Sequence, residues 1–209
     1  MKRSLYFLIP FLLLLYSCGQ PEPTPPPQEM GFVAVETSLV EEDKKTYSIG
    51  EVIDDLNGIP VYYNGYSIHN TSGRHLSADG YNYGLKWQCV EFVKRYYFDH
   101  FQHRMPNPWG HAKDFFNLYL PNGAYNKDRD LYQWRNGSKQ KPRVDDIVVF
   151  GGNQFGHVAI VSKVKEDSIE IVQQNVGADS RTRFRLTKRN GRWYVRSSKI
   201  LGWLTRTKS

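Results

Sequence analysis

Cysteine is scarce in this chain of 209 residues: there are two, Cys18 and Cys89. Two thiols exclude the disulfide-dense scaffold by which small secreted domains are stapled, and they exclude a four-cysteine metal site. Long apolar runs are also missing. Leu5 to Tyr16 is an apolar stretch of 12 residues, short of the roughly 20 that a membrane-spanning helix requires. No internal repeat is present, which argues against a solenoid. Acidic residues are absent from residues 180–209, where ten Lys or Arg stand, so much of the formal net charge of +7 is gathered at one end.

The N-terminus reads as a targeting segment. Lys2 and Arg3 precede the apolar stretch, and Leu15-Tyr16-Ser17-Cys18-Gly19 follows it, the order of a secretion signal. The run resembles a bacterial lipoprotein signal, which implies lipidation of Cys18; Tyr16 stands where a small residue is usual. Residues 1–17 are therefore expected to be a signal peptide. Residues 18–30 are expected to be a lipidated cysteine with a Pro-rich extended tether, and residues 31–209 a single domain. The expected location is a bacterial envelope membrane, periplasmic or at the cell surface, with the membrane met through the lipid. Nucleic acid is not an expected partner there, and the protein is expected to be a monomer.

With Cys18 assigned to the lipid, Cys89 is an unpaired thiol. It opens the run Cys89-Val90-Glu91-Phe92-Val93-Lys94-Arg95-Tyr96-Tyr97, in which Val90, Val93, Tyr97 and Phe101 recur at helical spacing; a helix is predicted over residues 87–102. Ala112, Phe115, Phe116 and Tyr119 predict a second, short helix ending at Pro121-Asn122-Gly123. Met105 to Lys141 otherwise reads as loop. Strands are predicted at 146–150, 156–164, 168–174, 181–186 and 193–197, with Asn190-Gly191 as a hairpin turn. Helices followed by an antiparallel meander give an α+β class.

A thiol at a helix N-terminus near an imidazole can have its pKa lowered from about 8.5 to about 3.5–7.5. His157 follows Gly156 at the start of the apolar strand Val158-Ala159-Ile160-Val161, a place from which a side chain reaches a cleft. A third group must orient the imidazole, and the next strand ends in Gln173-Gln174-Asn175. An odd-numbered connection through Lys165-Glu166-Asp167 sets His157 opposite Asn175 with Gln173 on the same face; a two-residue turn presents Gln174 instead. In Arg181-Thr182-Arg183-Phe184-Arg185-Leu186 the arginines share one strand face, which reads either as a solvated outer face or as a surface for an anionic polymer such as cell wall.

Trp87-Gln88-Cys89-Val90-Glu91-Phe92, Gly156-His157-Val158-Ala159-Ile160-Val161 and Gln173-Gln174-Asn175-Val176 resemble a CHAP domain, the cysteine- and histidine-dependent amidohydrolase/peptidase family related to papain. Within it they most resemble amidases of the glutathionylspermidine type. The resemblance covers about residues 58–205 and implies a papain-like α+β cell-wall hydrolase fold, with N-terminal helices packed on an antiparallel meander. It also implies Cys89 as nucleophile, His157 as base and then acid, and Gln173 as orienter, with Asn175 for orientation or polar support. At the position of Gln173 relatives of this type commonly carry glutamate, and an uncharged amide stabilises an imidazolium less. Tyr83 and Gln88 are candidates for the oxyanion or substrate, beside the Cys89 backbone N–H. Neither metal nor cofactor is expected. The implied activity is hydrolysis of peptidoglycan amides through a thioester. The alternatives are a small-molecule amidase of glutathionylspermidine type and a catalytically inactive wall-binding lipoprotein.

Overall fold

The structure is a computed structural model that describes residues 45–208; Cys18 and the Pro-rich tether lie outside the described residues. Asn57-Gly58, with φ of 53° and 78°, makes a two-residue left-handed turn between β1 (Val52–Leu56) and β2 (Ile59–Tyr62). A second small ribbon pairs β3 (Arg74–Leu76) with β4 (Asn82–Leu85). Then comes α1 (Cys89–Phe101), ended by Gln102 in a left-handed conformation whose N–H reaches back to the Phe98 carbonyl.

The remaining strands are β5 (Ala124–Asn126), β6 (Leu131–Arg135), β7 (Ile147–Phe150), β8 (His157–Val164), β9 (Ser168–Val172), β10 (Arg181–Arg189), β11 (Arg192–Val195) and β12 (Ile200–Thr205). They form one antiparallel sheet in the order β11-β10-β9-β8-β7-β12-β6-β5. Strand alternation divides its side chains between two cores. Ile147, Val149, Val158, Ile160 and Val172 face α1, where they bury Phe92, Val93, Tyr96 and Tyr97. Val148, Phe150, Ala159, Val161, Ile171 and Trp203 pack on the other face. Full burial of a Val- to Phe-sized side chain contributes about 1.5–3 kcal/mol, so these four residues suffice to dock α1 on the sheet.

This architecture corrects the expected α+β class and its papain-like arrangement of N-terminal helices on a meander. The fold is predominantly antiparallel β, with α1 the one α-helix among the described residues. The second predicted helix is a single 3-10 turn, Ala112–Phe115. Side chains from the next ribbon intercept its backbone: Asn126 Nδ2 donates to the Phe115 carbonyl, Arg129 Nη2 to the Asp114 carbonyl, and Gln133 Oε1 accepts from the Asn117 N–H. The Asn117 N–H, committed to Gln133, is not available to extend a helical ladder past this turn. The stretch read as loop supplies β5 and β6, and four strands precede the helix.

Candidate active site

The start of α1 is pinned from several sides. The Trp87 ring packs at 3.8 Å between centroids from Tyr62, and Gln88 is extended, with ψ of 158°, just before the helix. Gln174 Nε2 donates to the Gln88 carbonyl at 3.2 Å and to Glu91 Oε2 at 2.8 Å, while its Oε1 accepts from the Tyr62 N–H at 2.8 Å. Glu91, fully buried, also accepts from Arg95 Nε at 2.5 Å and from His75 Nδ1 at 2.7 Å. Burial alone raises the Glu91 pKa, but the His75 contact and the Arg95 charge outweigh it and hold the carboxyl below its ordinary value. This buried charge network fixes the helix turn that presents Cys89.

Cys89 is 6% exposed. Backbone N–H groups of Val158, Val90 and Cys89 itself lie near enough to its sulfur to favour the thiolate, so the sulfur lies beside β8 next to His157. His157 Nε2 and Gln173 Oε1 are 3.0 Å apart. Gln173 Nε2 donates in turn to Thr182 Oγ1 at 2.9 Å and to the Asp179 carbonyl at 3.4 Å. Because a backbone carbonyl can only accept, the amide nitrogen of Gln173 belongs at Asp179 and its oxygen at His157. The imidazole then carries its proton on Nε2, and Nδ1 is left with a lone pair. Among the described residues the thiol and the imidazole make no hydrogen bond to each other; catalytic bonds are often long in a substrate-free site.

The register that brings Gln173 to His157 arises differently from the expected one. The β8–β9 connection is a two-residue turn, Glu166-Asp167, closed by the Lys165 N–H on the Ser168 carbonyl at 2.8 Å. By itself that turn presents Gln174. A bulge between Val161 and Lys163 shifts the pairing by one residue, from Val164↔Ile169 to Ile160↔Val172. That shift puts Gln173 on the face of His157 and sends Gln174 to the helix side.

The other candidates point elsewhere. Asn175, at φ 69°, donates through Nδ2 to Gln88 Oε1 at 2.9 Å and accepts from Asn64 Nδ2 at 2.7 Å; it supports the loop around Ile68 rather than the imidazole. Gln88 Nε2 donates to the Ile68 and Asn70 carbonyls, and the Tyr83 hydroxyl donates to Asp99 at 2.9 Å, so the polar groups of both are engaged away from an oxyanion. Gln88 does not cap α1 through its side chain, which leaves the first-turn N–H groups, that of Cys89 included, as donors. Thr182 and Glu91 went unread in the sequence as site residues, and Gln174 was read only as the alternative partner of the imidazole. A signal existed for Thr182, which interrupts the arginines of β10 on the inward face.

Burial sets the electrostatics. It pushes the Cys89 thiol above its ordinary value, against the opposing effect of the nearby N–H groups of Val158, Val90 and Cys89. It takes His157 down to about 4, with the Gln173 hydrogen bond opposing. The expected lowering of the thiol is thus reversed, because desolvation penalises both charged forms. The resting pair is thiol and neutral imidazole.

Residues 79–175 match the CHAP domain, and this span contains Cys89, His157, Gln173 and Asn175. The chain is similar to trypanothione synthetase of Crithidia fasciculata, 28% identical over 120 residues that cover 56% of this chain and 18% of that protein. It is also similar to the bifunctional glutathionylspermidine synthetase/amidase of Escherichia coli (strain K12), 28% identical over 140 residues that cover 59% of this chain and 22% of that protein. The chain spans about a fifth of the length of these curated relatives. The crystal structure of Ly7917 aligns at 19% identity over 65% of this chain and 56% of that one, with a TM-score of 0.32, a likeness too slight to bear on the fold. The CHAP domain and the amidase relative support a hydrolase acting on amide bonds.

Proposed function

We propose that this protein is an exported, lipid-anchored cysteine amidohydrolase or endopeptidase that cleaves amide bonds of peptidoglycan. The observation that carries the mechanism is the imidazole of His157 held through Nε2 by Gln173, on the strand whose next residue, Val158, has its backbone N–H near the Cys89 sulfur. Sulfur attacks the amide carbonyl carbon while its proton passes to His157 Nδ1, and the oxyanion faces the N–H groups of the first turn of α1. The imidazolium then gives that proton to the departing amine as the C–N bond breaks. Water attacks the thioester, losing a proton to His157, and the C–S bond breaks to release a carboxylic acid and restore the thiol.

The wall as substrate is supported by the N-terminal lipoprotein signature and by the charge distribution. Arg181 is paired with Asp54 and Glu170, so part of the basic strand face is neutralised. Lys188, Arg189 and Arg192 make no ion pair among the described residues, and Lys141 and Lys188 lie over the Trp193 ring at 4.8 and 5.3 Å. A cationic hairpin of this kind suits an anionic polymer. The second reading, a small amide of glutathione-polyamine type, is favoured by the name of the Escherichia coli relative.

The test is incubation of the full-length protein and its Cys89→Ala variant with purified peptidoglycan and, separately, with glutathionylspermidine, products being identified by mass spectrometry. Cys89-dependent wall fragments are expected. Cys89-dependent turnover of glutathionylspermidine alone assigns the second reading, and turnover of neither refutes both.

A further inference from the structure

We propose that Thr182 is a positioning residue: its hydroxyl, with the Asp179 carbonyl, holds the Gln173 amide against His157 and so holds the imidazole for the thiol. The inference rests on the Cys89–His157 reading above. Glutamine has three rotatable side-chain bonds, and a group that orients an imidazole is useful only if it is itself held. Gln173 is 9% exposed and has two contacts besides His157, the 2.9 Å bond to Thr182 Oγ1 and the 3.4 Å bond to the Asp179 carbonyl. The Thr182 contact is the short one.

The fold supplies Thr182 from a rigid place. It pairs with Ile171 across the β9–β10 ladder, and Gln173, two residues on from Ile171, donates its own N–H to the Ser180 carbonyl at 2.8 Å. Thr182 and Gln173 therefore share a sheet face. The start of β10 is tethered, since Ser180 Oγ donates to Asp54 Oδ2 at 2.6 Å and Arg181 clamps the same carboxylate at 2.8 and 3.0 Å. Division of labour follows from donor chemistry. The Asp179 carbonyl, an acceptor only, decides which end of the amide faces His157; the Thr182 hydroxyl, which can donate or accept, fixes where the amide sits.

Removing the hydroxyl leaves the amide on its long contact alone. Other Gln173 rotamers then become populated, including those that release Nε2 or offer it an N–H. In the last case the imidazole proton moves to Nδ1, the nitrogen that must take the thiol proton, and the base is lost in that fraction of molecules.

The experiment compares full-length wild type, Thr182→Val and Thr182→Ser. Valine keeps the shape without the hydroxyl, and serine keeps the hydroxyl. The His157 tautomer is read from its side-chain 15N shifts, and the Cys89 reaction from the rate of alkylation by iodoacetamide at pH 7. Wild type and Ser are expected to show Nε2–H as the single tautomer. Val is expected to show averaged shifts and alkylation about tenfold slower, the worth of one hydrogen bond. Unchanged 15N shifts in Val, or a Ser variant as impaired as Val, overturn the proposal. Both readouts are independent of substrate, so absence of amide hydrolysis in wild type counts against the proposed function while the 15N result still decides the role of Thr182.

Discussion

Gln173→Glu tests whether the neutral thiol–imidazole pair is a consequence of the amide. The amide oxygen lies 3.0 Å from His157 Nε2, and a carboxylate there places a negative charge in direct contact with the imidazolium. An opposite charge at such range moves a pKa by about 1–3 units toward the charged form, each unit corresponding to 1.36 kcal/mol. His157, at about 4 in the wild type, moves to roughly 5–7 in the variant. Part of the gain is offset, because Gln173 is 9% exposed and one oxygen of the new carboxylate faces the Asp179 carbonyl that had accepted from the amide. The Thr182 hydroxyl can turn to donate to the other. The sign is definite: the carboxylate favours the imidazolium, so the acid limb moves up in pH and the thiolate–imidazolium pair gains population near neutrality. The assay is the rate of Cys89 alkylation from pH 3.5 to 8, with the His157 15N titration alongside. The wild-type limb is expected near pH 4, and that of the variant one to three units higher. An unchanged limb refutes the argument that an uncharged orienter and burial together keep His157 neutral.

Asp146, 4% exposed, is pushed up to about 8 by burial. Its folded state holds a proton that the unfolded chain loses near pH 3.8, so stability from this group is present below that pH and is lost as pH rises toward 8. Asp146→Asn keeps an acceptor for the Arg143 N–H, and in urea melts it should be near wild type at pH 4 and more stable by on the order of a few kcal/mol at pH 8; equal offsets at both pH values contradict this. His157 has the opposite slope between about 4 and its ordinary 6.5, where stability falls as pH falls. Glu91→Ala strands Arg95 in the interior and should cost about 3–5 kcal/mol in chemical denaturation; a loss under about 1 kcal/mol shows that the network is solvated. Cys18→Ala should move the protein from the membrane to the soluble fraction of lysed cells, and retention in the membrane rules out the lipid anchor.

What was readable in the chain was local. Apolar spacing after Cys89 marks a helix whose observed bounds, Cys89–Phe101, fall inside the predicted 87–102. The runs around 147–150, 157–164, 168–172, 181–189 and 192–195 announce strands through β-branched residues and turn dipeptides. The Asn57-Gly58 hairpin carried the same signal and went unread. By contrast, β12 enters the sheet between β7 and β6, a pairing between segments tens of residues apart that no local pattern encodes. The 112–119 segment has helical spacing yet stops after one turn, because Asn126, Arg129 and Gln133 arrive from elsewhere to take its backbone groups.

The sequence by itself determined the chemical inventory: a thiol opening a helix, a histidine opening a strand, and an amide-rich strand end. Those are matters of residue type and short spacing, which survive any packing. The tertiary structure alone decided which amide meets the imidazole, since a bulge at one peptide in β8 changes the face of every later side chain. It decided the charge state too, because desolvation depends on what surrounds a group and not on its neighbours in the chain. And it brought Thr182 to Gln173, a contact across two strands that exists only once the sheet has formed.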